Sequence, residues 1–158
     1  MNRKPRSQTG TFRLPAPLAV VMPLFTAEGE RRWAKGWDPE ILSGGEERGS
    51  AFRTRNDRGT VTTWIVVDFR PAEGRASYAR LAEGSSIGLV DVRCVEAEAG
   101  GTDVTVTYTL TPLNADAESF VEAFLQPAAF ATMMDEWAVA VAHALPQASR
   151  VTSVRQRT

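Results

Sequence analysis

The sequence predicts an α+β fold: a curved antiparallel sheet wrapped around a long C-terminal helix, with two short helices after the first strand. Three observations carry that expectation. Five strand-like segments separated by turn signals run from Phe52 to Leu113. In the last of them Asp103, Thr105, Thr107, Thr109 and Thr111 alternate with Val104, Val106, Tyr108 and Leu110, which gives a strand one solvated and one buried face. The segment from Asp116 to Leu145 then places Phe130, Met133, Met134, Trp137, Val141 and Leu145 on one helical stripe.

Thr11 to Ala16 reads as the first strand, with Phe12 and Leu14 on one face. Pro17 suits the first position of a short helix, Leu18 to Phe25, and Thr26 the cap of a second short turn with Gly29 just inside it. Trp33 to Pro39 turns the chain, Ser43-Gly-Gly-Glu is a loop, and Ser50 to Arg55 is a second strand. Asn56-Asp-Arg-Gly59 leads into Thr60 to Arg70.

Register follows from the turns. Pro71-Ala-Glu-Gly74 is a four-residue hairpin loop, so Arg70 pairs with Arg75, Val67 with Tyr78 and Ile65 with Arg80. That register turns Ile65 and Val67 inward and Trp64 outward, unless a bulge reverses Trp64. Glu83-Gly84-Ser85 precedes Ser86 to Glu96, and Ala99-Gly100-Gly101 precedes Thr102 to Leu113. Pairing Cys94 with Val104 brings Val92 to Val106, Val90 to Tyr108 and Gly88 to Leu110 on the buried face, with Asp91 and Arg93 outside.

The last helical region starts near Asn114, with Asp116 and Glu118 in its first turn. Its early apolar residues, Phe120, Val121, Phe124 and Leu125, lie more than about 100° from the later stripe at the helical period. A break at Gln126-Pro127 re-phases the two. Pro146 ends the helix. One domain is expected over 11–146, between disordered tails at 1–10 and 147–158.

The 158 residues suffice for one domain with a real core. A net charge of −1 gives no electrostatic case for nucleic acid. Leu18 to Phe25 is too short to span a bilayer and contains Pro23, so the reading is a cytoplasmic protein without stable membrane insertion. The single cysteine, Cys94, excludes an internal disulfide and a cysteine-based metal cluster, and fits a buried small hydrophobe. His143, the one histidine, falls opposite Trp137 on the helix and reads as solvated. There is no nucleophile-elbow motif and no phosphate loop. No metal and no cofactor are expected.

The order of elements resembles the SRPBCC, or START-like helix-grip, superfamily, and more closely its polyketide cyclase/dehydratase and lipid-transport-like branch. The segments that carry the likeness are PLFTAEGERRWAKGWDPEIL (Pro23 to Leu42), TWIVVDFRPAEGRASYARL (Thr63 to Leu81) and VTVTYTLTPL (Val104 to Leu113). It extends from about Thr11 to Leu145. The resemblance implies a hydrophobic cavity between the sheet and the C-terminal helix. Members bind lipids, hormones, polyketides or aromatic compounds; some are cyclases or aromatases, and others bind partner proteins.

The residues expected to wall such a cavity are Ile65, Val67, Tyr78, Val90, Val92, Tyr108, Phe130, Met133, Met134 and Trp137. Arg80 is either an anion anchor or a side chain that reaches back to water. Trp33 and Trp37 are either lid residues or staples for the short helices. Glu46, Glu47, Asp57, Asp68 and Asp91 offer no paired carboxylates, so no catalytic residue is named. The leading expectation is binding of a small hydrophobic or amphipathic molecule. A polyketide cyclase- or aromatase-like enzyme is the alternative, and a chaperone-associated or regulatory interaction domain a third. A homodimer is left open. A closed core favours the third reading, an acid or a Tyr–Arg pair inside the cavity favours the enzyme, and a plain apolar cavity favours binding.

Overall fold

A computed structural model describes residues 2–146. The expectation for the tail at 147–158 lies outside the described residues. Eleven strands and α-helices follow in order among the described residues: β1 (Arg6–Leu14), α1 (Leu18–Val21), α2 (Ala27–Glu30), β2 (Glu40–Ser43), β3 (Ala51–Arg55), β4 (Val61–Arg70), β5 (Arg75–Ala82), β6 (Ser86–Glu96), β7 (Thr102–Pro112), α3 (Ala115–Phe124) and α4 (Pro127–Ala144), with a 3-10 turn over Met22–Phe25 between α1 and α2. The seven strands form one antiparallel sheet in the order β1-β7-β6-β5-β4-β3-β2. The long helix packs chiefly on β1.

Local chemistry sets the boundaries. Asn114 caps α3 by accepting from the Ala117 amide, and Gln126 caps α4 by accepting from the Ala129 amide. Pro127, which has no amide hydrogen to give, therefore stands where a new helix begins. The helical region is broken between Phe124 and Pro127, as the phase jump predicts. Thr26 caps α2 by accepting from the Gly29 amide at 2.9 Å.

The register of β6 on β7 is the expected one, from Gly88↔Leu110 to Cys94↔Val104. Gly88 is required by the close approach of β7: a Cβ there would collide with the carbonyl of Thr109. Two expectations are corrected. The first strand starts at Arg6, not Thr11, because Arg6 to Gly10 complete the ladder with β7. A short edge strand, β2, pairs with β3 where the sequence read as a turn and loop.

The register of β4 on β5 is also corrected. Arg70 pairs with Arg75 as the loop length demands, but a β-bulge between Val66 and Asp68 absorbs one residue. Beyond it Val66, not Val67, faces Tyr78, and Trp64, not Ile65, faces Arg80. A bulge re-aims every later side chain to the other face. Ile65 and Val67 therefore lie on the outer face, 45% and 38% exposed, while Val66 is buried and Trp64 points inward.

Candidate functional site

The inner face of the sheet does not close completely on the helix. A cavity of about 300 Å³ lies between β3–β7, the turns that follow α2, and the C-terminal half of α4. The sheet supplies Phe52, Trp64, Tyr78, Val90, Val92 and Tyr108, α4 supplies Glu136, Trp137 and Ala140, and the remaining wall comes from Ala27 to Trp37.

That last wall is helical in spacing. Past the end of α2, amide hydrogen bonds from Trp33 and Ala34 to Glu30, and from Trp37 to Ala34, keep the chain turning. Residues 27, 30, 33, 34 and 37 thus fall on one side. Trp33 donates its indole N–H to the Leu24 carbonyl at 2.7 Å, and Trp37 donates to that of Ala27 at 2.9 Å. Both rings are stapled at the rim and line the cavity at once, so the two readings of these residues are one arrangement.

Seven aromatic side chains surround the space. Trp33 meets Trp137 edge-on at 5.1 Å, and Trp137 meets Tyr108 at 6.4 Å. On the other flank Phe52 stacks on Trp64 at 5.7 Å, with Trp37 edge-on to both. Edge-to-face contacts of this kind fix ring orientation as well as burying area.

Two polar groups inside lack a partner among the described residues. Glu30 has neither a side-chain hydrogen bond nor an ion pair with a described residue. Loss of water pushes its carboxyl up to about 8. The Tyr108 hydroxyl also makes no hydrogen bond with a described residue, and burial pushes it up to about 12. Tyr78, in contrast, donates to the Phe25 carbonyl at 2.5 Å and so ties β5 to the short helices. The exposed side chains of Lys35 and Glu136 flank the rim.

Of the residues expected to form the walls, Tyr78, Val90, Val92, Tyr108 and Trp137 line the cavity. Ile65 and Val67 do not, because the bulge turns them out. Phe130 and Met134 are about 1% exposed and belong to the closed core. Met133 packs against that core half-buried. Arg80 points inward but lies over the Trp64 ring, 5.3 Å from its centroid, and is not part of the lining. Its Nε is buried without a hydrogen-bond partner, and burial lowers its guanidinium below the ordinary value. Cys94 is buried, with its thiol pushed up to about 12 by burial; His143 is exposed. Among the described residues no helix is long and apolar enough to cross a membrane.

Sequence reasoning missed Glu30, Phe52, Trp64 and Ala140. For Glu30 a signal existed: Ala27, Glu30, Trp33, Ala34 and Trp37 share the helical period. For Trp64 it did not, since nothing in the pattern reveals the bulge.

A curved sheet gripping a C-terminal helix around an aromatic cavity defines a helix-grip protein. The sequence profile described as "Polyketide cyclase / dehydrase and lipid transport" matches residues 6–145, and the chain belongs to that family. No curated protein matches it by sequence. Among solved structures it is similar to an uncharacterised protein of Rhizobium leguminosarum, with 23% identity and a TM-score of 0.62 over 90% of this chain and 99% of that one. It is also similar to norcoclaurine synthase of Thalictrum flavum, solved in complex with dopamine and hydroxybenzaldehyde, with 9% identity and a TM-score of 0.65 over 99% and 91% of the two chains. At these identities the structural likeness establishes the fold.

Proposed function

We propose that the cavity binds a small, flat, largely apolar molecule without covalent chemistry. The observation that carries this reading is the aromatic lining: rigid rings braced against one another around about 300 Å³ of open space. Concave, mostly apolar sites with a few unsatisfied polar groups are the usual form of a small-molecule site. Glu30 and the Tyr108 hydroxyl are those groups here. Such a space argues against the interaction-domain reading, which a closed interior would favour. Titration with 2-naphthalenemethanol tests the proposal. Binding with a change in tryptophan emission is the expected result, because Trp33, Trp37, Trp64 and Trp137 all line the cavity. No heat and no spectral change up to millimolar probe would refute it.

One observation favours the cyclase-like alternative. Glu30 faces the cavity with its carboxyl poised near 8, in the range where a side chain both gives and takes a proton at neutral pH. If the cavity is catalytic, Glu30→Gln abolishes cyclisation of a short poly-β-ketone while the naphthyl probe still binds. Unchanged turnover in that variant would exclude Glu30 as the acid–base group.

A further inference from the structure

We infer that the natural occupant of the cavity is an organic cation: an apolar ring bearing a protonated or quaternary nitrogen that sits against Glu30. The inference rests on the reading of the cavity as a binding site and adds the chemical class of its ligand.

Three features converge. The faces of Trp and Tyr rings carry negative potential and attract cations. Glu30 brings a carboxyl into that setting with no counter-charge from the described residues. The other described charges near the cavity do not answer it: Lys35 and Glu136, of opposite sign, are both exposed at the rim, and Arg80, beside Tyr108, lies over the ring of Trp64. The remaining titratable groups facing Glu30 are Tyr78 from β5 and Tyr108 from β7, both held neutral by burial. A cation is the guest that completes both the rings and the carboxyl.

The raised value of Glu30 then gives a direction. The empty site holds the proton near neutral pH, and a fixed-charge guest binds best once the proton has left. Affinity for such a guest therefore rises with pH through about 8.

Calorimetry on the full chain with three probes tests this: (2-naphthylmethyl)trimethylammonium, 2-naphthalenemethanol and 2-naphthoate. At pH 8.5 the cation is expected to bind at least about tenfold tighter than the alcohol, with the carboxylate weakest. Between pH 6.5 and 9 the cation tightens while the alcohol stays level. Glu30→Gln brings the cation to the level of the alcohol and removes the pH dependence; Asp135→Asn, exposed on α4 and outside the lining, leaves both in place. If Glu30→Gln does not fold, the wild-type ratio and its pH dependence decide alone. An alcohol that matches the cation, a preferred carboxylate, or a preference for the cation that survives unchanged in Glu30→Gln overturns the inference and leaves the cavity a binding site. If none of the three probes binds, the binding reading falls with it.

Discussion

The two halves of α4 meet the same sheet in opposite ways. Toward its N-terminus Phe130 and Met134 close on β1 so tightly that a Cβ built on Gly10 would run into Met134 Cγ and lie 3.1 Å from Phe130 Cε1. Toward its C-terminus Trp137 and Ala140 face open space. Both halves are apolar, so hydrophobicity does not separate core from cavity. Compliance does. At the closed end a flexible methionine fills the volume a glycine leaves. At the open end Trp33 and Trp37 are tethered through their indole N–H groups to backbone carbonyls, and Ala140 is too short to reach them.

The contrast can be broken by mutation. Phe130→Ala is expected to cost about 3–5 kcal/mol in urea unfolding, the loss typical of a ring removed from a closed core, since Phe130 is 1% exposed and meets Tyr108 at 5.8 Å. Trp137→Ala should cost clearly less, because its ring already borders a void. Equal losses would mean that the two ends are equally packed. Gly10→Ala should cost about 1–3 kcal/mol by overpacking, and Met134→Ala should relieve most of that in the double variant. Additive losses would show that the close approach is not what matters at Gly10.

Glu30 sharpens the comparison from the open side. Its carboxyl is raised from 4.5 to about 8 in the folded chain. The folded state therefore holds its proton more firmly than the unfolded state does. The stability this gives is fully present below pH 4.5 and is lost as pH rises through about 8. Glu30 is half-buried at an open cavity, and water entering through the mouth reduces the effect to about 1–2 kcal/mol. Against Glu30→Gln, wild type should lose that amount between pH 4.5 and 8.5 in parallel melts. Parallel curves would place the carboxyl in bulk water. The smallest change is expected for Ala140→Leu, within about 1 kcal/mol of wild type, because the added methyls enter free space and meet no wall. A loss of several kcal/mol would show that the cavity is narrower than its lining suggests.

Most of the fold was legible because period and turn length agree. The Thr ladder fixed β7, the turn into it fixed β6, and the phase jump across Pro127 located the helix break. What escaped reading is local and geometric. A bulge of one residue at Val67 leaves no mark in composition, yet it exchanges Ile65 and Val67 for Trp64 and Val66 on the inner face. The expected wall residues on strands with unbroken register, Tyr78, Val90, Val92 and Tyr108, therefore line the cavity, and those on β4, where register slipped, do not. The methionines of α4 fill space as readily as they line it, and only their distance from Gly10 tells which.

The pairing of β1 with β7 has a consequence for how the molecule assembles. Thr9 and Thr107 share a hydroxyl contact across 98 positions of sequence, and α4, last among the described elements, packs on that first strand. The hairpins from β3 to β7 form between neighbours along the chain, but β1 finds its partner only when almost everything else exists. Closing so long a loop before its contacts can reward it places the barrier late and the rate on the slow side for a domain of this size. Until then β7 presents a bare edge, a row of unmet amides and carbonyls open to any passing strand. The first strand among the described residues is thus the one that waits longest for its partner.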